Sequence, residues 1–364
     1  MKVLSVLKTK NFNHGGPPEV LKNQIEIINK KGRIISILEL DSFSIFFLLK
    51  CLFLRYHRLR IYKFLKKFDL VHFHEIWSIK VIFIIFFLNK LLIKHFFVGH
   101  GYLDTWSINQ KFFKKKIFIF FFLQRAFNSS NASFFSTQSE YLEVLKNIKV
   151  HNTFIIPNGI SLEKYKKREL VNKLTKKKIL FFGRIHPKKG LDLLIETIKD
   201  LPENYFDEFS FEITGPGDNS YIENLKSLIK RYSLENKVKY NYPIYRENKI
   251  EYLKNNDVFI LPSFEEGDSI ALKEALGSYL PVIISKQCRL DVVEEYKAGI
   301  VIETNKKSLY DGLMLLKTKN LVEMGNQARK LIEENYDNRI CSERLYQIYS
   351  DIYNGSKNST DWVL

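Results

Sequence analysis

The segment Phe182-Gly183-Arg184-Ile185-His186-Pro187-Lys188-Lys189-Gly190 sets a guanidinium and an ammonium five residues apart across a turn. Arg184 offers phosphate a planar fork and Lys189 a point charge. Gly183 lets the chain turn tightly. If a helix opens near Gly190-Leu191, its free amides add a positive dipole end to the same place. A basic surface turn would use the same residues, and spacing alone does not separate the two. A second segment, Leu261-Pro-Ser-Phe-Glu-Glu266-Gly-Asp268-Ser269-Ile270-Ala-Leu-Lys-Glu274-Ala-Leu276, brackets a helix start with carboxylates. Ser269 is a suitable N-cap. Glu266 lies in the loop before the helix and Glu274 in its second turn. Carboxylates accept hydrogen bonds from sugar hydroxyls, while the intervening amides, at Asp268, Ser269 and Ile270, face phosphate. An acidic cluster that only complements the helix dipole is the alternative.

Both segments need a strand to end and a helix to begin, and the chain supplies this throughout. Val3–Leu7, Ile34–Leu38, Leu70–His74, Phe96–Gly99 and Ser133–Thr137 read as strands. Helical stretches lie between them near Glu19–Lys31, Arg55–Lys67, Ser78–Lys90 and Lys111–Asn128. After Phe154-Ile-Ile-Pro157-Asn158-Gly159 comes a polar stretch, Ser161–Lys178, that reads as a linker. A second alternation has strands at Lys178–Phe182, Phe211–Thr214, Lys237–Asn241, Val258–Leu261, Val282–Ser285 and Gly299–Ile302. Helices near Leu321–Asn335 and Asn338–Tyr353 close it, and Gly355–Leu364 carries no structural signal. This βαβα rhythm predicts α/β architecture: two doubly wound, Rossmann-like domains facing a central cleft. Ligands of such sheets bind at the carboxyl ends of the strands. The expected division is residues 1–165, 175–335 and a terminal helical segment 336–364.

Taken together, Arg184, Lys189, Glu266 and Glu274 resemble the donor site of glycosyltransferase family 4, whose fold is GT-B. That family carries Arg and Lys in a G-R-x4-K-G turn and two Glu flanking a helix start. The resemblance extends to Pro157-Asn-Gly-Ile160, Gly215-Pro-Gly217, Gly277 through Pro281-Val-Ile283, Ala298-Gly299 and the terminal helix around Tyr346–Tyr353. In the family that helix crosses back to the first domain. One position departs: where the family has Phe-Gly, two residues after the first Glu, this chain has Asp268-Ser269. A carboxylate there should repel phosphate, so Asp268 must turn aside, bond a donor hydroxyl, or signal a different donor.

The first half resembles the family more loosely. His14-Gly15-Gly16-Pro-Pro18 follows the first strand, and its glycines would let the backbone approach the donor. Val71-His-Phe-His74-Glu-Ile-Trp77 and Gly99-His100-Gly-Tyr-Leu-Asp104-Thr-Trp106 are similar to an H-x-H-x-x-W and an H-G-x-x-D-x-W segment of a family subgroup. By that resemblance His100 contacts the transferred sugar near its reacting carbon. His74, Trp77, Asp104 and Trp106 shape the acceptor pocket. A core role is the alternative for each His and Trp. His72 and His74 lack further ligands at useful spacing for a metal.

The resemblance implies a retaining, metal-independent hexosyl transfer with no cofactor. UDP- or GDP-linked sugar serves as substrate, and a glycan or lipid-linked glycan of a bacterial surface polysaccharide, lipopolysaccharide or capsule, is the acceptor. A net charge of +17 and a pI near 9.4 suit an anionic partner, although an AT-rich genome also enriches Lys. The basic, aromatic runs Phe46–Leu54, Val81–Leu92 and Lys111–Phe122 suggest peripheral contact with an anionic membrane. Neither Phe43–Leu54 nor Val81–Leu88 reaches the ~20 apolar residues of a span. With no signal peptide and three scattered cysteines, the expected location is cytoplasmic, at the inner face of the plasma membrane. No nucleic-acid motif accompanies the charge. The rivals are an inactive sugar-nucleotide-binding scaffold and a nucleotide-sugar epimerase on the same fold.

Overall fold

The computed structural model describes residues 1–8, 17–99, 103, 108, 112–165, 176–241, 244, 247–290 and 292–355. The chain divides into two units, one made of residues 1–159 with 338–364 and the other of residues 160–337.

The first unit holds strands β1 Lys2–Leu7, β2 Ile34–Glu39, β3 Leu70–Phe73, β4 Lys94–Val98, β5 Ala132–Phe135 and β6 Thr153–Ile155. They form one parallel sheet in the order β2-β1-β3-β4-β5-β6. β3 and β5 are buried along their whole length, as strands covered on both faces must be. One face packs Phe73, Phe97 and Phe127 with the helix Ile79–Leu91. The other packs Phe96, Phe134 and Tyr349. Tyr349 belongs to the last helix, Asn338–Asn354, whose buried Leu345, Ile348 and Tyr349 recur at helical spacing.

The helix expected over Lys111–Asn128 is instead three pieces: an α-helix Phe112–Phe118, a π-helix Ile119–Leu123 and an α-helix Gln124–Ser129. Within the π-helix Ile119 and Leu123 face inward, while Phe120, Phe121 and Phe122 stay exposed.

The second unit holds β7 Lys177–Phe182, β8 Phe209–Thr214, β9 Val238–Asn241, β10 Val258–Leu261, β11 Val282–Ser285 and β12 Gly299–Ile302. The sheet is parallel, in the order β12-β11-β10-β7-β8-β9. Chain direction reverses its lateral progress between β7 and β10, so the loops after these two strands flank the switch point. The expected linker is in part not one: Leu162 and Tyr165 are buried in this unit's core, and Lys177 and Lys178 already belong to β7.

Candidate functional site

The loop after β7 and the loop after β10 are locked together. Gly190 sits at φ +68°, and a Cβ there would lie 2.2 Å from the Pro262 carbonyl oxygen, so only glycine permits the approach. Phe264 N donates to Lys188 O at 2.7 Å. Lys188 Nζ lies 2.6 Å from Glu265 Oε2, and Lys189 Nζ 2.5 Å from Glu266 Oε1. Gly215 fixes the far side of the turn: at φ +155°, a Cβ would meet the Gly183 carbonyl oxygen at 1.7 Å.

Charge in the first loop is concentrated. His186 Nδ1 accepts from Lys188 N at 3.2 Å, capping the short turn Pro187–Lys189. Burial, then the positive charges of Arg184, Lys188 and Lys189, hold its ring below the usual imidazole range. Arg184 itself stands exposed, where an incoming anion can reach it. Lys189 faces a carboxylate already, because Glu266 is buried and also accepts Ser263 Oγ at 2.5 Å.

The helix Ile270–Gly277 follows the second loop, with Ser269 as N-cap accepting from Leu272 N at 3.4 Å. Ile270 is half-buried against the core. Glu274 is 5% exposed. Its Oε1 accepts Lys249 Nζ at 2.5 Å and Tyr165 Oη at 3.1 Å. Asp268 turns to Lys273, forming an ion pair whose side chains are 7% and 2% exposed. The structure thus gathers Gly183, Arg184, Lys189, Glu266, Asp268, Ser269, Ile270 and Glu274 on two facing loops and one helix start. Such an arrangement can take an anion at the amides and cations, and hydroxyls at the carboxylates.

Sequence reasoning missed Tyr165, Lys249, Ser263 and Lys273. Ser263, three residues before Glu266, and Lys273, adjoining Glu274, were legible as neighbours. Tyr165 and Lys249 lie 109 and 25 residues from Glu274, and no local pattern ties them to it.

In the first unit, His74 follows β3 and is buried, its N donating to Val6 O at 2.9 Å and its ring 4.1 Å from that of His72. His72 Nδ1 meets Tyr349 Oη. Glu75 Oε1 accepts Ile76 N at 3.0 Å and Trp77 N at 2.8 Å, pinning the loop. Trp77 is half-buried beneath Lys115, whose Nζ is 4.7 Å from the ring centroid, and beside Phe118. Gly15, Gly16, His100, Asp104 and Trp106 lie outside the described residues.

Residues 163–337 match the family model described as glycosyl transferases group 1, and residues 14–164 the model described as glycosyltransferase family 4. The chain is 24% identical over 348 residues to an uncharacterized 41.2 kDa protein in the cps region of Klebsiella pneumoniae, covering 92% of this chain and 88% of that protein. It is 28% identical over 199 residues to the putative colanic acid biosynthesis glycosyltransferase WcaL of Escherichia coli, covering 51% of this chain and 48% of that one. The chain thus spans about half the length of WcaL, and likewise 56% of an uncharacterized glycosyltransferase of Haemophilus influenzae. Two solved structures share the fold at low identity. Sucrose-phosphate synthase from Thermosynechococcus elongatus superposes with a TM-score of 0.76 at 14% identity, covering 98% of this chain and 100% of that one. Anabaena Alr3699/HepE, in complex with UDP and glucose, gives 0.71 at 15%, covering 96% and 99%.

Proposed function

The chain belongs to glycosyltransferase family 4 and has its GT-B fold, and we propose that its second unit holds a nucleoside-diphosphate sugar for retaining transfer of the sugar to a glycan or lipid-linked glycan in cell-surface polysaccharide biosynthesis. The observation that carries this reading is the pairing of the two loops at the β7/β10 switch point, with Lys189 on Glu266 and Glu274 held between Lys249 and Tyr165. Surface polysaccharide as the product follows the similarity to WcaL and to the protein of the cps region.

In this reading the bond from the sugar's anomeric carbon to the diphosphate breaks, and the acceptor hydroxyl forms a new bond at that carbon from the same face. The hydroxyl proton passes to the departing phosphate oxygen. Negative charge grows on that phosphate, and Arg184, Lys189 and the amides at Ser269 and Ile270 stabilise it without reorganising. Glu274 takes the ribose hydroxyls and Glu266 the sugar hydroxyls, each oriented beforehand by its lysine. The family resemblance assigns His100, Gly15 and Gly16 to the donor, and His74, Trp77, Asp104 and Trp106 to the acceptor. UDP and GDP remain the two candidate carriers.

The first unit also supports contact with an anionic membrane surface. Between Ser42 and Asp104 the only acidic residues are Asp69 and Glu75. Phe113 and Phe120 are 80% and 74% exposed beside Lys114, Lys115 and Lys116. No helix among the described residues is long and apolar enough to cross a membrane.

The donor reading is tested by calorimetric titration of UDP and GDP into the wild type and into Glu274→Ala. One nucleotide should bind, more weakly in the variant. A wild type that binds neither removes the donor site, and equal affinities move the ribose contact elsewhere.

A further inference from the structure

Asp268 brings a negative charge to the loop where, on the donor reading above, the diphosphate is held. Its carboxylate is nonetheless nearly shielded from solvent, ion-paired with Lys273. Lys273 is itself 1% exposed. Its backbone N donates to Ser269 O at 3.2 Å, and its ammonium lies 4.5 Å from the centroid of the Tyr336 ring. The pair therefore spans the helix start, one residue before the N-cap to one turn after it.

A buried ion pair is a weak device for stability, because two apolar side chains of similar volume often serve as well. It is a strong device for controlling a local field, since the low-dielectric surroundings do little to screen an uncompensated charge. We infer that Lys273 is a positioning residue of the donor site. It turns the Asp268 carboxylate aside and cancels its charge, so that the loop offers its backbone amides to the diphosphate without a competing anion. The inference rests on the donor reading and adds to it a residue that touches no substrate.

The two partners then have opposite effects when removed singly. Lys273→Met removes the ammonium that faces the Asp268 carboxylate and so adds negative charge beside the phosphates. Asp268→Asn removes that carboxylate and so adds positive charge there. Both variants break the same pair, so a purely structural role predicts that both weaken binding alike.

The test is calorimetric binding of UDP and GDP to the full chain, at low and high salt. Its subjects are wild type, Asp268→Asn, Lys273→Met and the double variant, each checked for folding by circular dichroism. Lys273→Met should bind the nucleotide at least about tenfold more weakly, the loss being larger at low salt. Asp268→Asn should bind it about threefold more tightly, and the double variant should return to within about threefold of wild type. Equal weakening in the two single variants overturns the inference, as does a double variant no better than Lys273→Met. If Lys273→Met does not fold, Asp268→Asn still decides, since weaker binding there is fatal. A wild type that binds neither nucleotide removes the donor reading and this inference with it. Binding by wild type with the wrong order of variants removes this inference alone.

Discussion

The two units bury charge differently. In the second, interior carboxylates meet ammonium groups: Glu266 with Lys189, Glu274 with Lys249, Asp268 with Lys273 and Glu212 with Lys178. In the first, the interior carboxylates Glu75 and Glu140 accept backbone amides, at Trp77 and Ser136. Its other buried titratable groups include His72, His74 and His95. Outside, the contrast reverses. Among the described residues, every large exposed apolar side chain but Phe264, Leu315 and Val322 belongs to the first unit. A site of preset charge pairs suits a small, highly charged ligand that must be bound and released. An apolar, basic exterior suits an extended surface.

The sharpest way to break this comparison is Arg184→Ala. If the second unit handles the departing diphosphate, kcat should fall roughly 10²- to 10³-fold. Stability should stay within about 0.5 kcal/mol, because the side chain is exposed. Steady-state kinetics with the nucleotide-sugar that matches the bound nucleotide measures the first and urea unfolding the second. A near-wild-type kcat would return the Gly183–Gly190 segment to an ordinary basic turn.

A buried histidine, His95, gives the first unit one source of acid sensitivity. Burial, only partly offset by the Ile93 carbonyl, holds His95 at about 4, against 6.5 for a free imidazole. Between these values the unfolded chain carries the proton and the folded chain does not. Stability therefore falls as pH drops from 6.5 toward 4, by at most roughly 3 kcal/mol. Urea unfolding of wild type at pH 7 and pH 5, set against His95→Phe, isolates this group, since the variant should lose much of the pH dependence. An unchanged pH dependence would assign it elsewhere.

The exterior contrast is tested with vesicles. Phe113→Ser combined with Phe120→Ser should lower partitioning onto phosphatidylglycerol vesicles by about tenfold, with little effect on folding. Wild-type binding should weaken as salt rises. Equal binding to phosphatidylcholine vesicles, or none to either, would make these aromatics an exposed surface of some other kind.

How far the sequence exposed this design depended on locality. Val258–Leu261, Val282–Ser285, Gly299–Ile302 and the helix Leu321–Asn335 agree to the residue. Short apolar runs bounded by Pro, Gly or Asn leave little freedom in where an element begins. The run Ile117–Leu123 is apolar at every position, so no period distinguished inward from outward residues, and the π-helix was invisible. The Arg184, Lys189, Glu266 and Glu274 set rested on the family resemblance, since spacing alone did not separate it from a basic turn and an acidic helix start. The lysine that orients Glu274 was not legible, because Lys249 in a polar helix reads as an ordinary solvated residue until tertiary packing brings it to 2.5 Å.

The smallest effect concerns how the first unit keeps its last helix. Arg33 stacks 3.7 Å over the Tyr346 ring and pairs with Glu343, which also meets Lys31. Hydrogen bonds from Arg33 and Lys31 hold the Glu343 carboxyl down at about 2, against 4.5 ordinarily. A depressed carboxyl stabilises the fold above its unfolded value, and that contribution is lost as pH falls from about 4.5 toward 2. Glu343 is 45% exposed, so water and salt screen the pair, and Glu343→Gln should cost only about 0.5–1 kcal/mol at neutral pH. The deficit should shrink in 1 M salt and vanish below pH 2. Urea unfolding across pH and salt checks all three. A deficit of several kcal/mol that ignores salt would mean that this exposed pair behaves like the buried pairs of the second unit, and the contrast between the units would not extend to their charged surfaces.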